Sequence, residues 1–485
     1  MGGLTNRKQP AGWRTRAVQV TILTALGLIT LLFLLHSDDR QTTRTVRPPI
    51  SARNTVEATA VPAASQGRAA PNLVTVLPNL TSREAIWSPT GESLLVQRAD
   101  GIYLAHAPAF APKLIGPFSF SNGFNGHPGI AWSPDGTQFA VAGIRETEDD
   151  NEPLDWTVYL ESTDGRARDV IAGKVAAGPA PVYSIYPNVW LDDQTLAFDI
   201  DQVHTLWEPM ALDTETGTVS NVLPQQATEE HYGGGSLLWS PDRQWITIQS
   251  AYPAPRSATL RIVSVATGEA WDVPLKEDTL YADIQGWLPD SSGLLYVPVQ
   301  PGPNGQPHAT ESSLKLAHVV DHRTVTLAEG MNTDPSPHVS ALPSPDGSII
   351  ALQGIVLGNC PLRSGLSGIP GHCVSLIDVE TGALLSSAHF PVGRGYFDGP
   401  YGVKEWIDND TVALVALKTT SPWRALWLMS NPLQPEPAMW QDDVPAADLM
   451  SVVASPDGQY AVVMSPTDGP APNSYGWQAR VYKIR

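Results

Sequence analysis

Short apolar runs that alternate, or nearly alternate, with polar residues fill most of this chain. Phe139-Ala140-Val141-Ala142 and Ile349-Ile350-Ala351-Leu352 are typical. Runs of this length, separated by Gly, Pro, Asp and Ser, predict strands rather than helices. The 44 prolines and 40 glycines agree with this prediction, because long helices tolerate proline poorly. We therefore expect an all-β structure from residue 72 onward.

One motif recurs along the predicted strands: an apolar residue, Trp or a substitute, then Ser-Pro-Asp-Gly or a relative. Its eight copies are Ile86–Gly91, Ala131–Gly136, Val189–Asp193, Trp239–Arg243, Gly286–Asp290, Ser344–Gly347, Glu405–Asn409 and Ser455–Gly458. Proline presets the turn, aspartate bonds nearby amides and glycine accepts positive φ, so each copy predicts a hairpin. We interpret the aspartates as turn residues and the tryptophans as packing between repeats, rather than as a catalytic ring.

A second motif follows several copies of the first. Leu376–Leu385 is the clearest example, and Leu212–Gly217, Val263–Gly268 and Leu160–Gly165 match it. Two hairpins per repeat give four antiparallel strands, which is one blade of a β-propeller. The pair of motifs resembles the TolB-type, WD-repeat-like propellers, whose relatives include the propeller domains of prolyl-oligopeptidase-class proteins. The resemblance covers residues 72–485 and implies a fold more than an activity; we expect no hydrolase domain.

The two ends of the repeat region indicate how the propeller closes. The eighth repeat has its first hairpin at Ser455–Gly458 and a third strand at Gln478–Ile484, while Asn72–Leu77 is a strand ahead of the first motif. We expect Asn72–Leu77 to complete the last blade, because closure removes exposed sheet edges. The prediction is an eight-bladed β-propeller, or a seven-bladed one if the repeat at Trp190 is not a blade.

The N-terminal region predicts a membrane anchor. Ala17–Leu35 is a run of 19 uncharged residues, long enough to cross a hydrocarbon core. Basic residues precede it, which places the N-terminus in the cytoplasm; a cleaved signal peptide is the alternative. The predicted order is a cytoplasmic tail at 1–16, a transmembrane helix at 17–35, a disordered stalk at 36–71 and the extracytoplasmic propeller at 72–485.

Charge narrows the class of partner. The chain carries −19, and the four basic residues of 1–35, where there is no acid, leave −23 for the remainder. So acidic a domain repels phosphate backbones, which argues against nucleic acid. A protein, peptide or glycan partner is expected, together with the membrane through Ala17–Leu35.

Candidate site residues are few. Cys360 and Cys373 are the only cysteines, and in an exported protein the pair predicts a disulfide. No catalytic, cofactor or metal site is predicted, since Gly-x-Ser-x-Gly, His-Glu-x-x-His and Walker motifs are absent from the sequence. The acidic run Glu146–Asp155 is interpreted as a solvated loop.

Long connections offer places for recognition. They are Glu146–Asp155, Pro301–Ser312 and Gly358–Gly371, and a short aromatic loop adds Tyr396, Phe397, Asp398 and Tyr401 as a possible binding loop. We expect a membrane-anchored scaffold that binds protein or ligand. The alternative is an exported lyase or hydrolase acting on sugar or peptide, with a site in the propeller channel built from residues such as His204 or His231.

Overall fold

The computed structural model describes residues 71–116, 129–145, 155–163, 167–174, 182–202, 206–223, 237–249, 258–301, 311–332, 339–353, 355–357, 371–391, 402–417, 424–430, 438–441, 451–468 and 475–484. All of them belong to the unit Gln66–Arg485. Their regular elements are β-strands, which confirms the all-β prediction. No described residue belongs to a helix of the length and apolarity that a membrane crossing requires. The predicted tail, anchor Ala17–Leu35 and stalk lie outside the described residues.

The strands follow one another as short segments. Their bounds are β1 Asn72–Trp87, β2 Ser93–Arg98, β3 Gly101–His106, β4 Ala111–Gly116, β5 Ile130–Trp132, β6 Gln138–Arg145, β7 Asp155–Ser162, β8 Ala167–Lys174, β9 Val182–Trp190, β10 Thr195–Gln202, β11 Leu206–Asp213, β12 Val219–Asn221, β13 Leu237–Trp239, β14 Trp245–Gln249, β15 Leu260–Ser264, β16 Ala270–Asp272, β17 Tyr281–Trp287, β18 Gly293–Val299, β19 Glu311–His318, β20 Thr324–Asn332, β21 Ser340–Pro343, β22 Ile349–Gln353, β23 Ile355–Val356, β24 Gly371–Asp378, β25 Leu384–Pro391, β26 Gly402–Asp408, β27 Thr411–Leu417, β28 Arg424–Ser430, β29 Ala438–Gln441, β30 Ser451–Ala454, β31 Tyr460–Asp468 and β32 Tyr475–Lys483.

Each motif copy starts a repeat of four antiparallel strands that pair in chain order. Repeats 2, 3 and 4 are β5–β8, β9–β12 and β13–β16. Repeat 5 is β17–β20, with β23 added at its edge, repeat 6 is β21, β22, β24 and β25, and repeat 7 is β26–β29. The first strand of each repeat carries the motif position that Trp usually occupies.

Strand β1 belongs to two repeats. Its first part pairs with β32, with Asn72 opposite Lys483 and Leu80 opposite Trp477. Its second part pairs with β2, with Trp87 opposite Leu94. Repeats 8 and 1 therefore share one seven-stranded sheet, in the order β30-β31-β32-β1-β2-β3-β4. The structure pairs Asn72–Leu77 with the last strand, as the sequence predicts.

Consecutive sheets pack through apolar faces, which we call seams and denote by the two repeats that meet. Buried side chains from both partners fill the seams 1/2, 2/3, 3/4, 4/5, 5/6 and 6/7. Seam 8/1 contains Leu77, Leu80, Trp87, Phe110 and Tyr460, and β26 of repeat 7 contacts β30 of repeat 8. Because each four-stranded sheet is too small to hide its apolar faces alone, burial at these seams is the main source of stability.

Candidate functional site

The Ser-Pro-Asp-Gly turns account for the motif aspartates. In repeat 2 the Ser133 hydroxyl donates to Asp135 Oδ1 at 2.6 Å, and the Thr137 amide donates to the same oxygen at 3.0 Å. These hydrogen bonds, the one from Ser133 foremost, hold the pKa of Asp135 below its usual value. The pairs Ser240–Asp242, Ser344–Asp346 and Ser455–Asp457 repeat the serine bond at 2.6, 2.7 and 2.5 Å. The carboxylates are thus engaged in turns, as predicted.

The turn shape survives changes in its sequence. Glycine at the last motif position has φ of +68° at Gly136 and +74° at Gly347. In repeat 4 Arg243 occupies this position at φ +66°, and in repeat 5 Ser291 does so at φ +61°. Left-handed backbone at a non-glycine residue is strained, so the surrounding bonds impose the turn on these two residues.

These turns lie together at one end of the sheets. The Asp242 amide donates to Ser291 Oγ at 2.9 Å, and the Asp346 amide donates to Asn409 Oδ1 at 3.1 Å. Gly91 lies against the Asp457 carboxylate. We call this the turn end. Because strands within a sheet are antiparallel, the connections from second to third strands and from repeat to repeat emerge at the opposite end, the loop end.

All the predicted recognition loops belong to the loop end. Glu146–Asp155, Pro301–Ser312 and Gly358–Gly371 join the second strand to the third in repeats 2, 5 and 6, and the aromatic loop joins repeats 6 and 7. The strands that flank these four connections end at the same end of their sheets, which the sequence alone does not show. Residues 146–154, 302–310, 358–370 and 392–401 lie outside the described residues.

Four motif tryptophans donate hydrogen bonds across alternate seams, and we call a seam with such a bond fastened. Trp87, Trp190, Trp287 and Trp406 donate their indole N–H to the carbonyls of Val453, Ala131, Leu238 and Leu342 at 3.1, 3.0, 3.3 and 2.8 Å. Each acceptor stands one residue before the Trp position of the preceding repeat. The prediction that these tryptophans pack between repeats is confirmed, and seam 8/1 is fastened like the seams within the chain.

Odd and even repeats differ in their first strands. β9, β17 and β26 have nine, seven and seven residues, whereas β5, β13, β21 and β30 have three or four. The odd first strands are also bulged, for example at Gln285 and Lys404. In the even repeats Trp132 and Trp239 have buried indole nitrogens without a hydrogen-bond partner. The repeats therefore form pairs, with an even repeat fastened to the odd one after it.

Two of the fastened seams carry glutamine clamps. Gln249 Nε2 donates to the Ala282 carbonyl at 2.6 Å in seam 4/5. In seam 6/7 the Val403 amide donates to Gln353 Oε1 at 3.0 Å. The two glutamines occupy the same place in their repeats, at the loop end of the second strand. Each hydrogen bond ties the glutamine to the backbone of the first strand of the following repeat, near the loop end of that strand.

Polar side chains gather on the first strand of repeat 5. Burial, and then the charge of Asp283, raises the pKa of Tyr281. The Ala341 amide donates to Gln285 Oε1 at 3.0 Å, which joins repeats 5 and 6. Strand β17 therefore carries a phenol, a carboxylate and an amide, and the amide links repeat 5 to repeat 6.

Glu405 is the residue of β26 that stands out chemically. Burial raises the pKa of its carboxyl to about 7, although the Trp406 amide donates to Oε1 at 3.0 Å and lowers it in part. The side chain keeps some exposed surface, yet protein atoms surround the carboxyl closely. Such a raised pKa is common at functional positions. In the sequence, Glu405 is the motif residue before Trp406, and no role is predicted for it. Its one distinguishing feature there is a charge at a motif position where the other repeats are apolar.

The other predicted site residues lie mostly outside the described residues. These are Cys360, Tyr396, Phe397, Asp398, Tyr401, His204 and His231. Cys373 lies in β24 opposite His389, and the disulfide stays a prediction. No group of three or more His, Cys, Asp or Glu side chains within the described ranges is placed to hold a metal ion.

Comparison with known proteins gives structural likenesses only. No family model and no curated protein sequence matches the chain. Similar solved structures include the C-terminal WD40 domain of Sif2, at 13% identity, TM-score 0.47 and coverage of 87% of this chain and 100% of that one. Hydrazine synthase of Kuenenia stuttgartiensis has 13% identity, TM-score 0.41 and coverage of 79% and 100%. TolB from Acinetobacter baumannii has 13% identity, TM-score 0.31 and coverage of 72% and 80%.

The chain's own strand order defines its class. Four-stranded antiparallel sheets, paired in chain order and packed face to face, are the units of a β-propeller. The predicted four-stranded repeats of a propeller-like, all-β fold are confirmed by this strand order.

Proposed function

We propose that the chain is a binding scaffold: an eight-bladed β-propeller, held outside a cell membrane by Ala17–Leu35, that recognises a protein, peptide or glycan at its loop end. The observation that carries the proposal is the contrast between the two ends of the sheets. The turns described at the turn end are short, and several of them are bonded to one another, whereas the longest connections of the chain join strand ends that lie at the loop end.

The seams support the count of eight blades. Every repeat contacts the next, and the indole bond from Trp87 to Val453 joins repeats 8 and 1 in the manner of the internal seams. The bonded turns also favour a single rigid platform, on which loops from several blades are held close together. Scaffolded loops of this kind are frequent recognition sites.

Photo-crosslinking tests the choice of face. Photoreactive residues at the exposed positions Ala99 and Glu277 would report on the loop end, and matched probes at Thr90 and Asn409 would report on the turn end. In cells that produce the chain naturally, we expect a reproducible adduct from the loop-end probes alone. Adducts from the turn-end probes, or turnover of a small substrate without any partner, would contradict the proposal.

Extraction tests the anchor separately. The full-length chain should stay with membranes washed in alkaline carbonate, and a variant lacking residues 1–35 should not. Recovery of the intact chain in the wash would contradict anchoring and leave the binding face untouched.

A further inference from the structure

The side chain of Glu405 points toward seam 7/8. Successive residues of a strand face opposite sides of its sheet. Trp406 and Val403 face repeat 6, where they pack among Val374, Leu376 and Ala351. Glu405 directly precedes Trp406, so its side chain lies on the opposite face of β26, the face on which β30 packs.

Seam 7/8 is built differently from the fastened seams. Repeat 8 has Ala454 at the Trp position, so no indole reaches across to β26. At the position of Glu405 the other repeats carry an aliphatic residue or glycine: Ile86, Ala131, Val189, Leu238, Gly286, Leu342 and Val453. Opposite Glu405 on β27 is Ala413, a small and buried residue. An enclosed carboxyl among small side chains thus replaces the aromatic contact.

Among the described strands, the neighbours packed on β26 place no cationic side chain on the face of Glu405. β21, β22, β27 and β30 contain no ionisable side chain. β24 carries His372, Cys373 and Asp378, but it belongs to repeat 6, on the side of β26 away from Glu405. On β26 itself the ionisable neighbours are Lys404, at the bulge, and Asp408, whose carboxylate accepts the Asp410 amide at the turn end.

We propose that Glu405 makes seam 7/8 a proton-sensitive joint of the ring, closed when the carboxyl is protonated and loosened when it ionises. A neutral carboxyl can lie within an apolar seam while it accepts a hydrogen bond from the Trp406 amide. An ionised carboxylate needs water or a cation to compensate for its burial. This device goes beyond the binding function and does not depend on it.

The direction and range of the response follow from linkage. The closed seam has a carboxyl pKa of about 7, against an ordinary value of 4.5, so the stabilising neutral form is fully present below pH 4.5. The stabilisation that this form gives the closed seam is lost progressively as the pH rises from 4.5 through 7. Opening of the seam should therefore rise by about tenfold per pH unit between roughly pH 5 and 7 and level off above that range.

Hydrogen exchange of the folded full-length chain, corrected for the intrinsic pH dependence of exchange, tests the proposal. Peptides from β26 and β30 should show the rise, while β13 and β14 in seam 3/4 provide an internal control. Glu405→Gln should remove the pH dependence from β26 and β30 and leave the control peptides unchanged. The surface variant Glu92→Gln should behave as wild type.

Two results would overturn the proposal: an identical pH profile in Glu405→Gln, or a rise of equal size in every seam. If the variant fails to fold, the wild-type comparison of seam 7/8 with seam 3/4 decides alone. Equal pH dependence in both would then exclude a role for this joint.

Discussion

Strand β26 contributes side chains to two seams, and the residues on its two faces differ in chemistry. Toward repeat 6 it presents Trp406, whose indole donates to the Leu342 carbonyl, and its Val403 amide donates to Gln353 Oε1. Toward repeat 8, whose strand β30 packs on β26, it presents Glu405, which lies opposite Ala413 on β27. Seam 6/7 is fastened by neutral hydrogen bonds that no physiological pH disturbs, whereas seam 7/8 contains a group that titrates near neutrality.

The difference suggests how a closed ring can be stable and still respond. Indole hydrogen bonds join the repeats at seams 8/1, 2/3, 4/5 and 6/7. Among the seams without such a bond, 7/8 is the one that holds Glu405, so a proton-sensitive joint there would be weaker at a defined place while its neighbours stay bonded.

Replacing Trp406 should have the largest effect. Trp406→Ala removes a buried aromatic ring and its hydrogen bond, so we expect a loss of about 3–5 kcal/mol in the free energy of unfolding. Trp406→Phe should lose less, because it keeps most of the packing and leaves the Leu342 carbonyl without its donor. Urea unfolding at pH 7 measures both. Equal losses for the two variants would mean that the hydrogen bond, not the ring, stabilises seam 6/7.

Replacing Glu405 should instead stabilise the protein, in a pH-dependent way. With its pKa raised from 4.5 to about 7, the wild-type carboxyl costs about 3 kcal/mol above pH 7 and nothing below pH 4.5. Glu405→Gln should therefore exceed wild type by about that amount at pH 8 and match it near pH 4.5. Thermal unfolding across this range supplies the measurement. A constant offset between the two curves would contradict a titrating Glu405.

Loss of a glutamine clamp should have an intermediate effect. Gln353→Ala leaves the Val403 amide without its acceptor, which should cost about 1–3 kcal/mol. Gln249→Ala is the matched control in seam 4/5, where a carbonyl rather than an amide loses its partner. Exchange of the Val403 amide should accelerate only in the first variant. Unchanged exchange would show that the clamp does not hold β26.

The smallest effect should come from a turn. Burial raises the pKa of Asp346, but bonds from Ser344 and Ser348 outweigh it and leave the pKa below the usual value. Its contribution is therefore present above pH 3.8 and lost as pH falls through the lowered pKa. Asp346→Asn should cost about 1 kcal/mol at pH 7 and progressively less in acid. A loss that persists below pH 3 would show a role other than the charged turn.

The fold was predictable because its signals are local. Pro, Asp and Gly set a hairpin within a few residues, as in Ser133–Gly136, and the positions of Trp87 and Trp190 mark the apolar face that meets the preceding repeat. The pairing of Asn72–Leu77 with the last strand also followed, since a missing fourth strand and an extra first strand complement each other.

The rest depended on contacts that no local pattern encodes. The bulge at Lys404 decides which face of β26 holds Glu405, and a strand period alone does not reveal a bulge. Whether a seam is fastened depends on contacts between repeats. Trp132 and Trp190 occupy the same motif position, yet Trp190 donates a hydrogen bond to the preceding repeat and the buried indole nitrogen of Trp132 has no partner. That the strands flanking the four loops stop at one end of the sheets required the topology, whereas each loop by itself indicated only a variable connection.

Closure through β1 is the claim on which the ring depends, and one disulfide measurement tests it directly. Thr75 lies opposite Val481 in the register of β1 and β32. With Cys360 and Cys373 replaced by serine, Thr75→Cys with Val481→Cys should oxidise to an intramolecular disulfide in nearly all molecules. Thr75→Cys with Val219→Cys, on the outer strand of repeat 3, should not. A link of equal yield in both pairs, or in neither, would contradict a ring latched by β1.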